Sequence, residues 1–128
     1  MNEQKKQNIP ILQYALFCKE VIETGELTFK EVTHEVIVGR PKNIDITLAL
    51  RLLNVPKGLH KIAINCLIPP LELIPSEIPL ELKKRDNCFI TQEFRLPIKS
   101  SSKYVFTILF DEARLIRFWL PVKVMPTQ

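Results

Sequence analysis

The sequence predicts an all-β protein, an antiparallel two-sheet β-sandwich of the immunoglobulin/C2-like kind with seven to eight strands. Residues 103–124 have the pattern of a β-hairpin, because apolar residues occupy every second position from Tyr104 to Phe110 before residues 111–114 reverse the chain. Residues 44–52 show the cleanest alternation of apolar and polar positions. Short segments of this kind, separated by turn signals every ~8–12 residues, are typical of a β-sandwich.

The N-terminal part is predicted to contain a polar lead and an opening hairpin. Residues 1–8 have no apolar periodicity, so we expect a flexible lead before a single domain over residues 9–125. Residues 11–22 fit either an amphipathic helix or a long strand. The β-branched residues of 27–38, which follow a turn signal at Gly25, favour the strand and a hairpin closed around that glycine.

The middle of the chain is predicted to form a second hairpin and an edge segment. Residues 44–52 and 60–68 both alternate and are separated by a turn at 54–58, so we expect them to pair. Prolines at positions 69, 70, 75 and 79 remove backbone donors, which confines residues 69–79 to a sheet edge or a connection. Residues 88–98 then resume the strand pattern before the closing hairpin.

Composition limits the environment and the partners of the protein. No stretch reaches the ~18 uninterrupted apolar residues of a membrane helix, so no membrane partner is expected. Cys18, Cys66 and Cys88 are an odd number in apolar surroundings, which predicts reduced thiols and a cytoplasmic protein. The net charge of +4 is scattered apart from residues 5–6 and 83–85, and it is not interleaved with exposed aromatics, which weighs against a nucleic-acid partner.

The residue types that catalyse reactions or bind metals do not form a recognisable group. His60 and Cys66 share a strand face, but their separation of six residues corresponds to roughly 20 Å along a strand, too far for one metal. Only three glycines are present, so a phosphate-binding loop is excluded. Cys88 follows the basic residues 83–85, which would lower its thiol pKa if the loop folded back. We therefore predict a protein that is not an enzyme and that has no cofactor or metal.

Several short motifs keep a fixed order along the chain: ALFC at 15–18, VI at 21–22, GEL at 25–27, LALRL at 48–52, YVFTI at 104–108, Asp111, Ile116 and LPVKV at 120–124. In this order the chain resembles a family of small uncharacterised bacterial single-domain β-sandwich proteins, over residues 9–124. The resemblance implies the fold and adds no site. Lys103 and Ala113 stand where that family tends to have glycines, so the turns there are expected to differ.

The function predicted from these observations is a non-catalytic binding or assembly module. An exposed sheet face or an unpaired edge strand would meet a protein partner or a second copy of the chain. Trp119 alternates away from the packed face of residues 115–124, and an exposed tryptophan on a sheet is a typical interaction hot spot. The other candidate interaction residues are Lys83, Lys84 and Arg85.

The alternative function is a small ligand-binding protein or enzyme whose site is built from loops at one end of the sandwich. It would use the basic residues 83–85 together with Asp86 and Cys88, and it would favour an anionic ligand.

Overall fold

Alternating apolar residues place most of the chain in extended strands. The computed structural model describes residues 9–69 and 72–125, so the predicted lead at 1–8 lies outside the described residues. Within these ranges every regular element is a strand, and no helix that could cross a membrane is found there. The strands are β1 (Ile11–Cys18), β2 (Glu20–Ile22), β3 (Thr28–Lys30), β4 (Val36–Val38), β5 (Lys42–Val55), β6 (Gly58–Ile68), β7 (Glu72–Leu82), β8 (Asp86–Ile98), β9 (Ser102–Phe110) and β10 (Ala113–Val124).

The strands form three sheets, which confirms the all-β class. A three-stranded sheet has the order β1-β5-β8, a five-stranded sheet has the order β4-β10-β9-β6-β7, and β2 and β3 form a small third sheet. The described residues hold ten strands where seven to eight are predicted, because residues 11–22 and 27–38 each divide into shorter strands. Glu31 has a positive φ of 54°, which ends β3. The pairing of β4 with β10 is parallel, a departure from the purely antiparallel prediction.

The predicted closing hairpin is present, and the predicted opening hairpin is present only as three residues of each strand. β2 and β3 pair antiparallel around Gly25, whose φ is 77°, whereas β1 pairs with β5 instead of lengthening this hairpin. β9 and β10 pair antiparallel from Phe110 and Ala113 onward. Asp111 and Glu112 in their turn both have positive φ, of 45° and 71°, which suits the right-handed twist of a two-residue hairpin.

The predicted pairing of residues 44–52 with 60–68 is wrong. β5 lies between β1 and β8, while β6 lies between β9 and β7 in the other large sheet. Asn54, near the end of β5, has a positive φ of 60°, and the register of β5 with β8 shifts between Leu52 and Val55. Beyond this irregularity Val55 still pairs with Asp86 of β8, and the chain then crosses to the other sheet at residues 56–57. β5 is buried on both faces from Ile46 to Leu50, as expected for the central strand of its sheet.

β7 is an edge strand, one of the two positions that its prolines allow. Its antiparallel pairing with β6 continues without a register shift from Gly58–Leu82 to Ile68–Glu72. Alternate residues of a strand direct their backbone nitrogens to opposite edges. Since Pro75 and Pro79 interrupt no pairing with β6, their nitrogens face the free edge.

The inner faces of the two large sheets form one hydrophobic core around Phe106. The Phe106 side chain is fully buried. Its ring centre lies 4.8 Å from that of Phe17 and 5.5 Å from that of Phe94, both on the three-stranded sheet, and 5.8 Å from that of Phe118 on its own sheet. The buried Tyr104 hydroxyl donates a hydrogen bond to the carbonyl of Pro97 across the same interface.

Truncation of Phe106 should cause a large loss of stability. We expect Phe106→Ala to lower the free energy of unfolding by about 3–5 kcal/mol, because the aromatic contacts between the sheets are replaced by a cavity. Urea denaturation followed by circular dichroism measures the loss. Leu59→Ala is the control, since Leu59 is 78% exposed and its truncation should change stability by no more than about 0.5 kcal/mol. Equal losses in the two variants would contradict this account of the core.

Candidate interaction surface

Trp119 lies on the outer face of the five-stranded sheet. Phe118 and Leu120 point to the core side of β10, so Trp119 between them points outward, and 56% of its surface is exposed. This is the orientation that the alternation of residues 115–124 predicts. The Nζ atom of Lys103 lies 5.2 Å from the centre of the indole ring. That distance allows a cation–π interaction, which orients the indole on the sheet surface.

An apolar row crosses four strands at the level of Trp119. The strand registers place Trp119 beside Val105, Val105 beside Leu67, and Leu67 beside Leu73. Trp119, Leu67 and Leu73 are 56%, 37% and 55% exposed. Since neighbouring strands are about 4.8 Å apart, the row is roughly 14 Å long. Single exposed apolar residues are ordinary on protein surfaces, and here the registers make them neighbours across four strands.

Two further rows lie beside the apolar row. We call the outer surface made by the three rows the Trp119 face. Basic residues lie at the β10 end of two rows, and an acidic residue lies at the β7 end of one. The three rows, each read from β10 to β7, are Trp119, Val105, Leu67 and Leu73; Arg117, Thr107, Asn65 and Pro75; and Arg114, Leu109, Ala63 and Glu77.

A shallow groove borders the Trp119 face at β10. It has a volume of about 320 Å³ and is lined by Phe118 and Trp119, by residues 15–17 of β1 and by residues 32–34. β10 pairs with β4 only at residues 122–124, so within the described ranges the rest of this edge of β10 has no strand partner. The groove and the unpaired part of β10 therefore lie beside the apolar row.

The structure does not bring the predicted basic residues together with Trp119. Lys83, Lys84 and Arg85 follow the end of β7, which lies at the opposite edge of the sheet from β10. All three are exposed. The guanidinium of Arg85 donates a hydrogen bond of 3.2 Å to the carbonyl of Asn54, so it is engaged at the end of β5.

The loop that carries these residues does not have the electropositive surroundings that an activated Cys88 would need. Its groove of about 270 Å³ includes Glu81 and Asp86 beside Lys83, Lys84 and Cys88, so the charge there is mixed. Burial raises the pKa of the Cys88 thiol, and the Asp86 carboxylate raises it further. The lowered pKa that the alternative loop site would need at Cys88 is therefore not supported.

A polar network that the sequence analysis does not identify joins β6 to the closing turn. The Nδ1 atom of His60 lies 2.6 Å from Oδ2 of Asp111, and its Nε2 atom lies 2.7 Å from the carbonyl oxygen of Pro56. The Lys61 N–H donates to Oδ1 of Asp111, and the Asp111 N–H donates to the Lys61 carbonyl, both at 2.9 Å. Each ring nitrogen faces an oxygen atom that can accept a hydrogen bond. No sequence spacing signals this contact, because the two side chains are 51 residues apart.

The His60–Asp111 network and the cysteines do not form a metal site. The ring of His60 packs on Phe110, with their centres 4.7 Å apart. In the described part of the chain no three His, Cys, Asp or Glu side chains are grouped closely enough to hold a metal ion. Cys18 and Cys66 are buried free thiols, and burial raises the pKa of Cys66 from its ordinary 9.0 to about 12.

Comparison with known proteins adds no family. No family model and no curated protein matches the chain. Among solved structures it is similar to part of the alkylpurine DNA glycosylase AlkC of Pseudomonas fluorescens bound to DNA containing an abasic site analog, with a TM-score of 0.46, 10% identity, and coverage of 86% of this chain and 30% of the other. It is also similar to part of a beta-glucosidase from Listeria innocua in complex with glucose, with a TM-score of 0.49, 11% identity, and coverage of 88% and 17%. The chain spans less than a third of either protein, and likenesses of this size carry no argument about function.

Loss of the Asp111 carboxylate should destabilise the turn between β9 and β10. We expect Asp111→Ala to lower the free energy of unfolding by about 1–2 kcal/mol, because His60 and the Lys61 N–H lose their acceptor and Ala tolerates a positive φ poorly. Asp111→Asn is the matched variant, since Asn keeps an acceptor and adopts positive φ more readily, so it should lose less. Urea denaturation distinguishes the two. An equal loss in both variants would show that the hydrogen bonds to Asp111 do not matter.

Labelling of the three thiols should follow exposure and increase with pH. We expect Cys88 to react with iodoacetamide before the buried Cys18 and Cys66, because it is partly exposed. The rate at neutral pH should be slow and should rise beyond pH 9.0, because the thiolate reacts and the native pKa of Cys88 lies above that ordinary value. The native thiols keep their protons to higher pH than those of the unfolded chain, so stability should fall as the pH rises above that value. Rapid labelling at neutral pH would contradict the raised pKa.

Proposed function

We propose that the protein is a non-catalytic binding or assembly module that contacts another protein through the Trp119 face. The observation that carries the proposal is the apolar row of Trp119, Val105, Leu67 and Leu73, which the strand registers align across four strands. A large aromatic residue at one end of such a row provides an anchor that a partner can cover. The groove beside Trp119 extends the contact area toward β1.

The state of the polar groups supports binding over catalysis. His60 and Asp111 are hydrogen-bonded to each other and to the backbone, so they hold two loops together. A nucleophilic cysteine needs a lowered pKa, whereas burial raises the pKa of Cys18, Cys66 and Cys88. The alternative, a loop site for an anionic ligand, has weaker support because Glu81 and Asp86 lie among its lysines.

We also propose that the two large sheets form the immunoglobulin/C2-like sandwich that the sequence predicts. Support comes from the rings of Phe17 and Phe94, which contact Phe106 on the opposite sheet. In a sandwich the strand directions of the two sheets differ by about 30°, whereas orthogonal packing brings them near right angles. An experimental structure measures this angle. The free thiols support a cytoplasmic location, and the resemblance to a bacterial family stays a prediction.

The fluorescence of Trp119 should report binding directly, because it is the chain's only tryptophan. A protein that co-purifies with the tagged chain is purified and titrated back. We expect the emission to shift to shorter wavelength and to become protected from acrylamide, as the indole leaves water. Trp119→Ala should weaken binding by about tenfold or more, the usual effect at a hot spot.

The control is Leu59→Ala, which truncates a 78% exposed side chain outside the three rows and should leave binding unchanged. Undiminished binding by Trp119→Ala, with unchanged tryptophan emission in the wild-type complex, would place the partner elsewhere and refute the proposal.

A further inference from the structure

We propose that the partner at the Trp119 face is a second copy of this chain, packed face to face about a twofold axis parallel to the strands. This inference rests on the proposed function and specifies its partner. What carries it is the order of residues in the three rows. Each row, read in one direction, is complementary to the same row read in the other direction.

The axis passes between β9 and β6, at the centre of the rows. A rotation about it places β10 of one copy against β7 of the other and stacks each row on the reversed row of the second copy. In the apolar row, Trp119 then covers Leu73 of the second copy, and Val105 covers its Leu67. The twofold axis repeats both contacts, so the exposed apolar surface of this row is covered in both copies.

The charged row has the same self-complementarity. Arg114 lies at its β10 end and Glu77 at its β7 end, with Leu109 and Ala63 between them. The rotation brings Arg114 of one copy to Glu77 of the other, and Leu109 to Ala63. Two opposite-charge pairs therefore flank the apolar contacts, and such pairs set the register of an interface.

The middle row fits the same arrangement. It places Thr107 against Asn65 of the second copy, a pair of side chains that can exchange a hydrogen bond. Arg117 meets Pro75, which carries no charge. Thus none of the three rows brings two like charges together.

The charges disfavour the other simple face-to-face packing. With the twofold axis along the apolar row, rows on either side of it would exchange places. Arg114 of one copy would then approach Lys123 of the other, which lies on the same face beyond Trp119. Juxtaposed like charges cost free energy and reject a register. The axis parallel to the strands is therefore favoured.

The size of the face determines how strong the dimer can be. Four strands and three rows give a face of roughly 20 by 20 Å, from the strand spacing and rise. Two such faces bury on the order of 800 Å² in total, which is the size of a weak or transient interface. We therefore expect a weak dimer that forms only at high protein concentration.

The test is a charge exchange across the proposed interface, followed by sedimentation equilibrium of the full chain over a wide range of concentration. The wild-type protein should show a monomer–dimer equilibrium, and its Trp119 emission should shift to shorter wavelength as the dimer forms. Arg114→Glu and Glu77→Arg should each weaken association by about tenfold or more. The double variant should recover most of the wild-type affinity, because both pairs are re-formed with reversed sign.

Within one chain, Arg114 and Glu77 lie at opposite ends of a row roughly 14 Å long. Recovery in the double variant must therefore come from a contact between copies. Arg40→Glu is the control for net charge, since it makes the same change in an exposed turn away from the face. Glu77 also lies 3.5 Å from Nζ of Lys61 in its own chain, so thermal unfolding of each variant is measured alongside.

The outcomes separate this inference from the proposed function. A dimer whose affinity is unchanged in both single variants overturns the inference, as does a double variant that does not recover. A monomer at all concentrations, whose Trp119 becomes protected by a different protein, also overturns it and leaves the proposed function standing. A monomer whose Trp119 stays exposed with every co-purifying protein refutes both.

Discussion

The contact between the two large sheets at Phe106 determines where the other residues of β9 and its neighbours can lie. Phe106 is buried among rings from both sheets, and the period of two along a strand then sends Val105 and Thr107 outward. Strand pairing transmits this orientation to β10, β6 and β7, so the composition of the outer face depends on the register of the core. A slip of one residue would exchange the two faces and would place charged residues against Phe17 and Phe94. The Trp119 face is thus as well defined as the core beneath it.

The features that could be predicted from the sequence are those that depend on consecutive residues. Alternation predicts the closing hairpin and the outward orientation of Trp119, and the prolines limit β7 to an edge or a connection. The positions of β5 and β6 could not be predicted, because two alternating segments joined by a turn look the same whether they pair or enter different sheets. The chain leaves the first sheet between Val55, which still pairs with β8, and Gly58, where β6 begins, and alternation alone does not show this crossing. The apolar row could not be predicted either, because it depends on the register between β6 and β9, which are distant in sequence.

His60 and Asp111, the polar side chains that most resemble catalytic groups, link two turns by hydrogen bonds. The ring of His60 joins the turn after β5 to the turn after β9 through its hydrogen bonds with Pro56 and Asp111. Cys66 lies in the core as a small apolar side chain. Side chains whose hydrogen bonds are already made inside the protein have little capacity left for a substrate. The proposed function instead uses the apolar and charged side chains on the outer surface of the five-stranded sheet.

The two prolines of β7 also determine what kinds of assembly the protein avoids. The free edge of a β-sheet can recruit further strands without limit, which is the route to fibrils. On β7 the nitrogens of Pro75 and Pro79 face this edge, so an incoming strand would find alternate donors missing from that stretch. At the other side of the sheet, the register shift between Arg114 and Ile116 makes the first residues of β10 irregular, which disfavours pairing with a further strand there. In the five-stranded sheet, growth by strand addition is thereby discouraged at β7 and at the start of β10, so these stretches are poor starting points for a fibril.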